Sequence, residues 1–135
     1  MDKPKEYCGI FGIYDHDHVA PLIYQGLFAL QHRGQEGAGI VVSDGDRVRS
    51  VKGLGLVNDV FNRHSWSALP GHIGIGHVRY STTGSSRIQN VQPLVVECFD
   101  GLWAVAHNGN LVNGGALRKM YQEAGAIFQT STDSE

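Results

Sequence analysis

Two Asp-Gly pairs, Asp44-Gly45 and Asp100-Gly101, each stand between two strand-like runs. Such a pair accepts the positive backbone angles of a tight turn, so each predicts an antiparallel hairpin. One hairpin joins Gly39 to Ser43 with Arg47 to Lys52, and the other joins Pro93 to Phe99 with Leu102 to His107. Upstream, Gly9 to Tyr14 is short and apolar and reads as a strand. Asp17 is placed to N-cap a helix with Pro21 in its first turn, and Ile23, Leu27 and Leu30 recur at helical spacing. The predicted helix runs from about His18 to Gln31. "GLGLVNDVF" (53–61) predicts a turn and a short helix, "HIGIGHVRYST" (72–82) a strand carrying polar residues at its end, and Gly115 to Ala124 a helix. Strand, helix, paired strands, strand, hairpin and helix in that order define an α+β layered domain built on antiparallel sheet. The chain stops in "FQTSTDSE" without a closing element, which predicts a piece of a larger domain.

Composition excludes several classes of function. A formal charge of −2 leaves no electrostatic footprint for nucleic acid or an anionic membrane. No apolar run reaches the length of a membrane span, and the first seven residues lack the apolar stretch of a secretory signal. Two cysteines, Cys8 and Cys98, make neither a disulfide framework nor a metal cluster, so a reducing cytoplasmic setting is expected. Cys98 lies inside a predicted strand and reads as a core residue.

Four polar stretches sit at strand ends or in loops: Cys8-Gly9, His32-Arg33-Gly34, His77 to Thr83 and His107 to Asn110. Each has an ordinary structural reading. A strand cysteine is commonly buried, an arginine after a helix complements its C-terminus, and Asn-Gly is a common turn. Taken together they match the needs of a cysteine amidase. Such an enzyme needs a thiolate and a base to generate it. It needs oxyanion donors, which the Asn108 side chain and the Gly109 N–H offer. It needs a cation for a substrate carboxylate, here Arg79, and a carboxylate for a substrate ammonium, here Asp133. No histidine is obviously paired with Cys8. Removal of residues 1–7 as a propeptide would supply the base, because Cys8 would gain an α-amine with a pKa near 7.7–8.0. His77 and His107 read as supports for strand ends.

Taken as a set, "CGIFGIY", "LFALQHRGQEGAGI", "GIGHVRYSTTG", "NVQPL", "AHNGNL" and "TSTDSE" resemble the class II glutamine amidotransferase domain, an N-terminal-nucleophile hydrolase. The resemblance runs from Cys8 to Glu135. It implies an αββα sandwich of antiparallel sheets, here incomplete. It further implies that Cys8 attacks the glutamine side-chain amide, that a thioester forms, and that Asn108 and Gly109 bind the oxyanion. Arg79 would hold the α-carboxylate with Thr82 beside it, and Asp133 would receive the α-ammonium. Arg33 and Gly34 would pack next to the nucleophile, a role taken from the family alone.

"RYSTTG" and "LQHRGQEGAG" are most similar to the amidophosphoribosyltransferase branch of the family. In that branch ammonia passes to a phosphoribosyltransferase domain that uses Mg²⁺ and phosphoribosyl pyrophosphate to make 5-phosphoribosylamine for purine synthesis. That domain is absent from these residues. An iron–sulfur cluster, carried by some members with longer leaders, would also take its ligands beyond Glu135, so no cofactor is assigned within this chain. The parent enzyme is expected to be a homo-oligomer. The alternatives are the glutaminase domain of another amidotransferase, such as a glucosamine-6-phosphate synthase, and a truncated module that binds glutamine without turning it over.

Overall fold

A computed structural model describes residues 7–34, 36–62, 66–80 and 87–135. The proposed propeptide, apart from Tyr7, and Thr82 lie outside the described residues. Strands β1 (Gly9–Tyr14), β2 (Gly37–Ser43), β3 (Val48–Leu54) and β4 (Ile73–Arg79) form an antiparallel sheet in the order β1-β4-β2-β3. Strands β5 (Leu94–Cys98) and β6 (Gly101–Val105) form a separate two-stranded sheet. Helices α1 (Val19–Leu30), α2 (Val57–Phe61) and α3 (Gly114–Glu123) complete the elements discussed below. The α+β class with antiparallel sheets is the one expected from the sequence.

Both Asp-Gly turns form where predicted. Gly45 and Gly101 take φ of 98° and 132°, respectively. The Asp44 carboxylate accepts the N–H groups of Asp46 and Arg47 at 3.1 and 2.8 Å and so closes the first turn itself.

Strand β2 carries the core. Ala38, Ile40 and Val42 point to the side where α1 packs through Val19, Ile23 and Leu27 and where α2 contributes Val57 and Phe61. All of these are buried, and full burial of each large aliphatic or aromatic side chain stabilises the fold by about 1.5–3 kcal/mol. Tyr24, Phe61 and Trp66 close this layer as an aromatic corner, with the Tyr24 and Trp66 rings 5.2 Å apart. The other side of β2 is covered by the segment around Val91 to Pro93, so the strand is buried on both faces. No described helix is long and apolar enough to cross a membrane.

Two local expectations fail. Asp17 does not cap α1: the N-cap is His18, without a side-chain cap. The His18 N–H is instead taken by His16 Nδ1 at 2.9 Å. Cys98 is exposed rather than core. Strands β5 and β6 pair only with each other, and of their residues only Leu94 is buried, so strand membership there does not bring burial.

Candidate active site

Alternation along β4 divides its side chains. Val78 joins the helix-side core, so His77 and Arg79 face the opposite side. In the register of β1 with β4, Gly9 lies opposite Val78, which brings Cys8 beside the end of β4. There the Cys8 Sγ lies 3.4 Å from both the carbonyl and the amide nitrogen of Tyr80, donating to the former and accepting from the latter. These residues open onto a cavity of about 380 Å³ that is also lined by Gln92, His107, Gly109 and Asp133.

The Arg33-Gly34 stretch packs against Cys8 and the end of β4. A 3-10 turn at Gln31–Arg33 follows α1 and aims the Arg33 Nε at the Cys8 carbonyl, 3.3 Å away. The guanidinium also lies 5.9 Å from the centre of the Tyr7 ring. Gly34 is required by close approach, since a Cβ there would stand 2.7 Å from the Arg79 carbonyl carbon. Next to this contact, the Glu36 N–H donates to the Arg79 carbonyl at 3.1 Å.

Arg79 is only 8% exposed, and its Nη1 has no hydrogen-bond partner among the described residues. A buried guanidinium nitrogen left unpaired costs stability unless a ligand completes it. Across the cavity, the Asp133 Oδ2 accepts the Leu111 N–H at 2.6 Å, and its Oδ1 lies 3.9 Å from His107 Nδ1. One cavity therefore presents a cation in need of an anion and a carboxylate on another wall. That pair is complementary to the carboxylate and ammonium of an α-amino acid.

The sequence-predicted residues fall as follows. Cys8, Arg79, Gly109 and Asp133 all line the cavity. Asn108 lies exposed between His107 and Gly109 and is not among the lining residues. His77 is fully buried, and burial pushes its pKa down to about 4, so it is neutral at pH 7. Its Nε2 therefore donates to the His107 carbonyl at 3.3 Å, the support role expected of it.

Reading the sequence missed Asn90, Gln92 and Ser131. The buried Asn90 side chain exchanges hydrogen bonds with Ser131, through its Nδ2 to Oγ at 2.8 Å and from the Ser131 N–H at 3.0 Å. Gln92 stood in the quoted "NVQPL", but a single amide side chain carries no chemical signal until its partners are known. Among the described residues no three His, Cys, Asp or Glu side chains gather as a metal site would require.

A family model for class II glutamine amidotransferases matches residues 61–135, and the chain belongs to that family. The amidophosphoribosyltransferase of Methanocaldococcus jannaschii is 57% identical over 130 residues, covering 95% of this chain and 28% of the relative. A solved structure described as the allosteric regulatory enzyme of purine biosynthesis superposes with a TM-score of 0.87 at 48% identity, over 93% of this chain and 27% of its own. The glutamine phosphoribosylpyrophosphate amidotransferase of B. subtilis, complexed with ADP and GMP, gives a TM-score of 0.85 at 47% identity over the same shares. The chain thus spans little more than a quarter of the length of the relatives it matches.

Proposed function

We propose that this chain forms the glutamine-hydrolysing site of an amidophosphoribosyltransferase. The observation that carries the reading is the single cavity in which Cys8 meets Asp133 and Arg79, whose buried Nη1 has no partner among the described residues. In this reading residues 1–7 are a propeptide, and their removal frees the Cys8 α-amine as general base. The amine takes the thiol proton and the thiolate attacks the side-chain carbonyl carbon of glutamine. Arg79 holds the substrate carboxylate and Asp133 its ammonium. Asn108 and the Gly109 N–H receive the negative charge on the tetrahedral oxygen. The protonated amine returns its proton to the leaving nitrogen, ammonia departs, and water cleaves the thioester to give glutamate. Thr82 lies outside the described residues, and its part in binding glutamine rests on the family resemblance alone. Ammonia then serves a phosphoribosyltransferase domain beyond these residues, which binds phosphoribosyl pyrophosphate and Mg²⁺ in an enzyme that assembles as a homo-oligomer.

The relatives favour phosphoribosyl pyrophosphate over a hexose phosphate as the acceptor. The test is intact-mass analysis of the full-length gene product before and after treatment with 6-diazo-5-oxo-norleucine. The expected result is a chain beginning at Cys8 with one adduct on Cys8, lost in Cys8→Ser. A chain that hydrolyses glutamine with Cys8 unlabelled would overturn the assignment.

A further inference from the structure

We propose that Gln92 is a positioning residue for amide hydrolysis, a buried clamp that fixes the oxyanion-side loop relative to the carboxylate that receives the substrate ammonium. The proposal rests on the active-site reading above and extends it to residues that touch no reacting atom.

Strand β6 ends at Val105, so no ladder holds the His107 peptide. Two buried side chains hold it instead. Gln92 Oε1 accepts the His107 N–H at 2.6 Å. From the opposite side, His77 Nε2 donates to the His107 carbonyl at 3.3 Å. Asn108 and Gly109 follow directly, and the His107 ring lies over Gly109, where an added Cβ would stand 2.9 Å from Nε2.

The other end of the Gln92 amide reaches the segment that carries Asp133. Its Nε2 donates to Ser134 Oγ at 3.2 Å, beside Asp133. Ser134 Oγ also lies 3.2 Å from His107 Nδ1, while Asp133 itself receives the Leu111 N–H. One amide, through its oxygen and one N–H, thus ties His107 to Ser134, and the Leu111–Asp133 bond joins the same two segments directly. Gln92 has a firm seat: its carbonyl lies against Gly39 of the central strand so closely that a side chain at 39 would collide with it. Oxyanion donors act only when held where the charge develops, and a misplacement of about 1 Å can cost about 10²-fold in rate.

The test uses the full-length gene product with Gln92→Met, which removes both hydrogen bonds at similar volume. Gln92→Glu keeps the acceptor for His107 and lets the Ser134 hydroxyl donate. Readouts are kcat and KM for glutamine, together with alkylation of Cys8 by iodoacetamide, which needs no oxyanion donors. Gln92→Met should lower kcat by about 10²-fold, leave alkylation within about twofold, and be largely rescued in Gln92→Glu. A kcat within about twofold of the parent overturns the clamp, as does alkylation that falls in step with kcat, which marks general loss of structure. If Gln92→Met does not fold, His77→Leu against His77→Gln poses the same question from the other side of the peptide. Loss of kcat in the first with recovery in the second supports the clamp, and equal activity in both overturns it. An unmodified protein that neither hydrolyses glutamine nor takes the diazo-oxo-norleucine label overturns the active-site reading, and the clamp with it.

Discussion

Acidification from pH 7.5 to pH 5 should weaken this fold by about 2 kcal/mol through His77. The residue is fully buried, and burial lowers its pKa from the ordinary 6.5 to about 4. The unfolded chain therefore binds a proton at this site well before the folded one does. Stability rises with pH wherever the unfolded state holds more protons, so the contribution is complete above about 6.5 and declines as the pH falls. Each pH unit inside the window costs about 1.4 kcal/mol, reaching about 3 kcal/mol in all near pH 4. Stopping at pH 5 keeps most of the carboxylate titration out of the measurement. Asp44 is held at about 2 by its hydrogen bond from Arg49, so its own loss falls below that point. Urea unfolding followed by Trp66 fluorescence, with that ring in the aromatic corner, gives the free energies. His77→Gln, which does not titrate, should flatten most of the slope. A parent free energy that is unchanged between the two pH values, or an equal drop in the variant, would refute the reasoning.

Three further predictions separate binding from stability. Arg79→Met should raise the glutamine KM by about 100-fold or more while the melting midpoint holds or rises, because the change removes a buried charge whose Nη1 is unpaired among the described residues; a collapsed midpoint would contradict this. Asp133→Asn keeps an oxygen for the Leu111 N–H, so the fold should survive while the glutamine KM rises about 10- to 100-fold, as steady-state kinetics would report. Gly34→Ala drives a methyl group into the Arg79 backbone and should cost about 1–3 kcal/mol in urea unfolding, whereas an unchanged midpoint would show that the loop yields freely.

What could be read from the sequence was whatever short-range chemistry dictates. Both hairpins followed from Asp-Gly, whose turn is closed by the residues that name it. Helix α1 lies within one residue of its expected ends because Ile23 and Leu27 pack on the face their spacing defines. Asp17 misled because the helix starts one residue later than that cap requires, with His18 at the N-cap and its N–H held by His16. Cys98 misled because burial belongs to layers, and β5 has none over it among the described residues. Cys8, Arg79 and Asp133 carry side chains whose chemistry announces itself. Gln92 and Asn90 do not, since their role exists only in the pairing of segments more than ten residues apart.

The same alternation that makes β4 a strand also makes it a partition. Val78 sits in the core under α1, while the opposite side carries Arg79, which lines the cavity, and the fully buried His77, which holds the His107 carbonyl. The hydrophobic side secures the strand, so its other side can hold a neutral buried imidazole and a guanidinium whose Nη1 has no partner among the described residues. The first stays uncharged because burial resists its protonation, and the second is unfavourable until a ligand completes it. Neither arrangement improves the packing of this domain. Each does something a ligand site requires, since a rigid uncharged donor fixes a loop without competing for protons, and an uncompensated cation gains most when a carboxylate arrives. The instability is thus confined to the face where binding can offset it, and substitutions there should change affinity and stability in opposite directions.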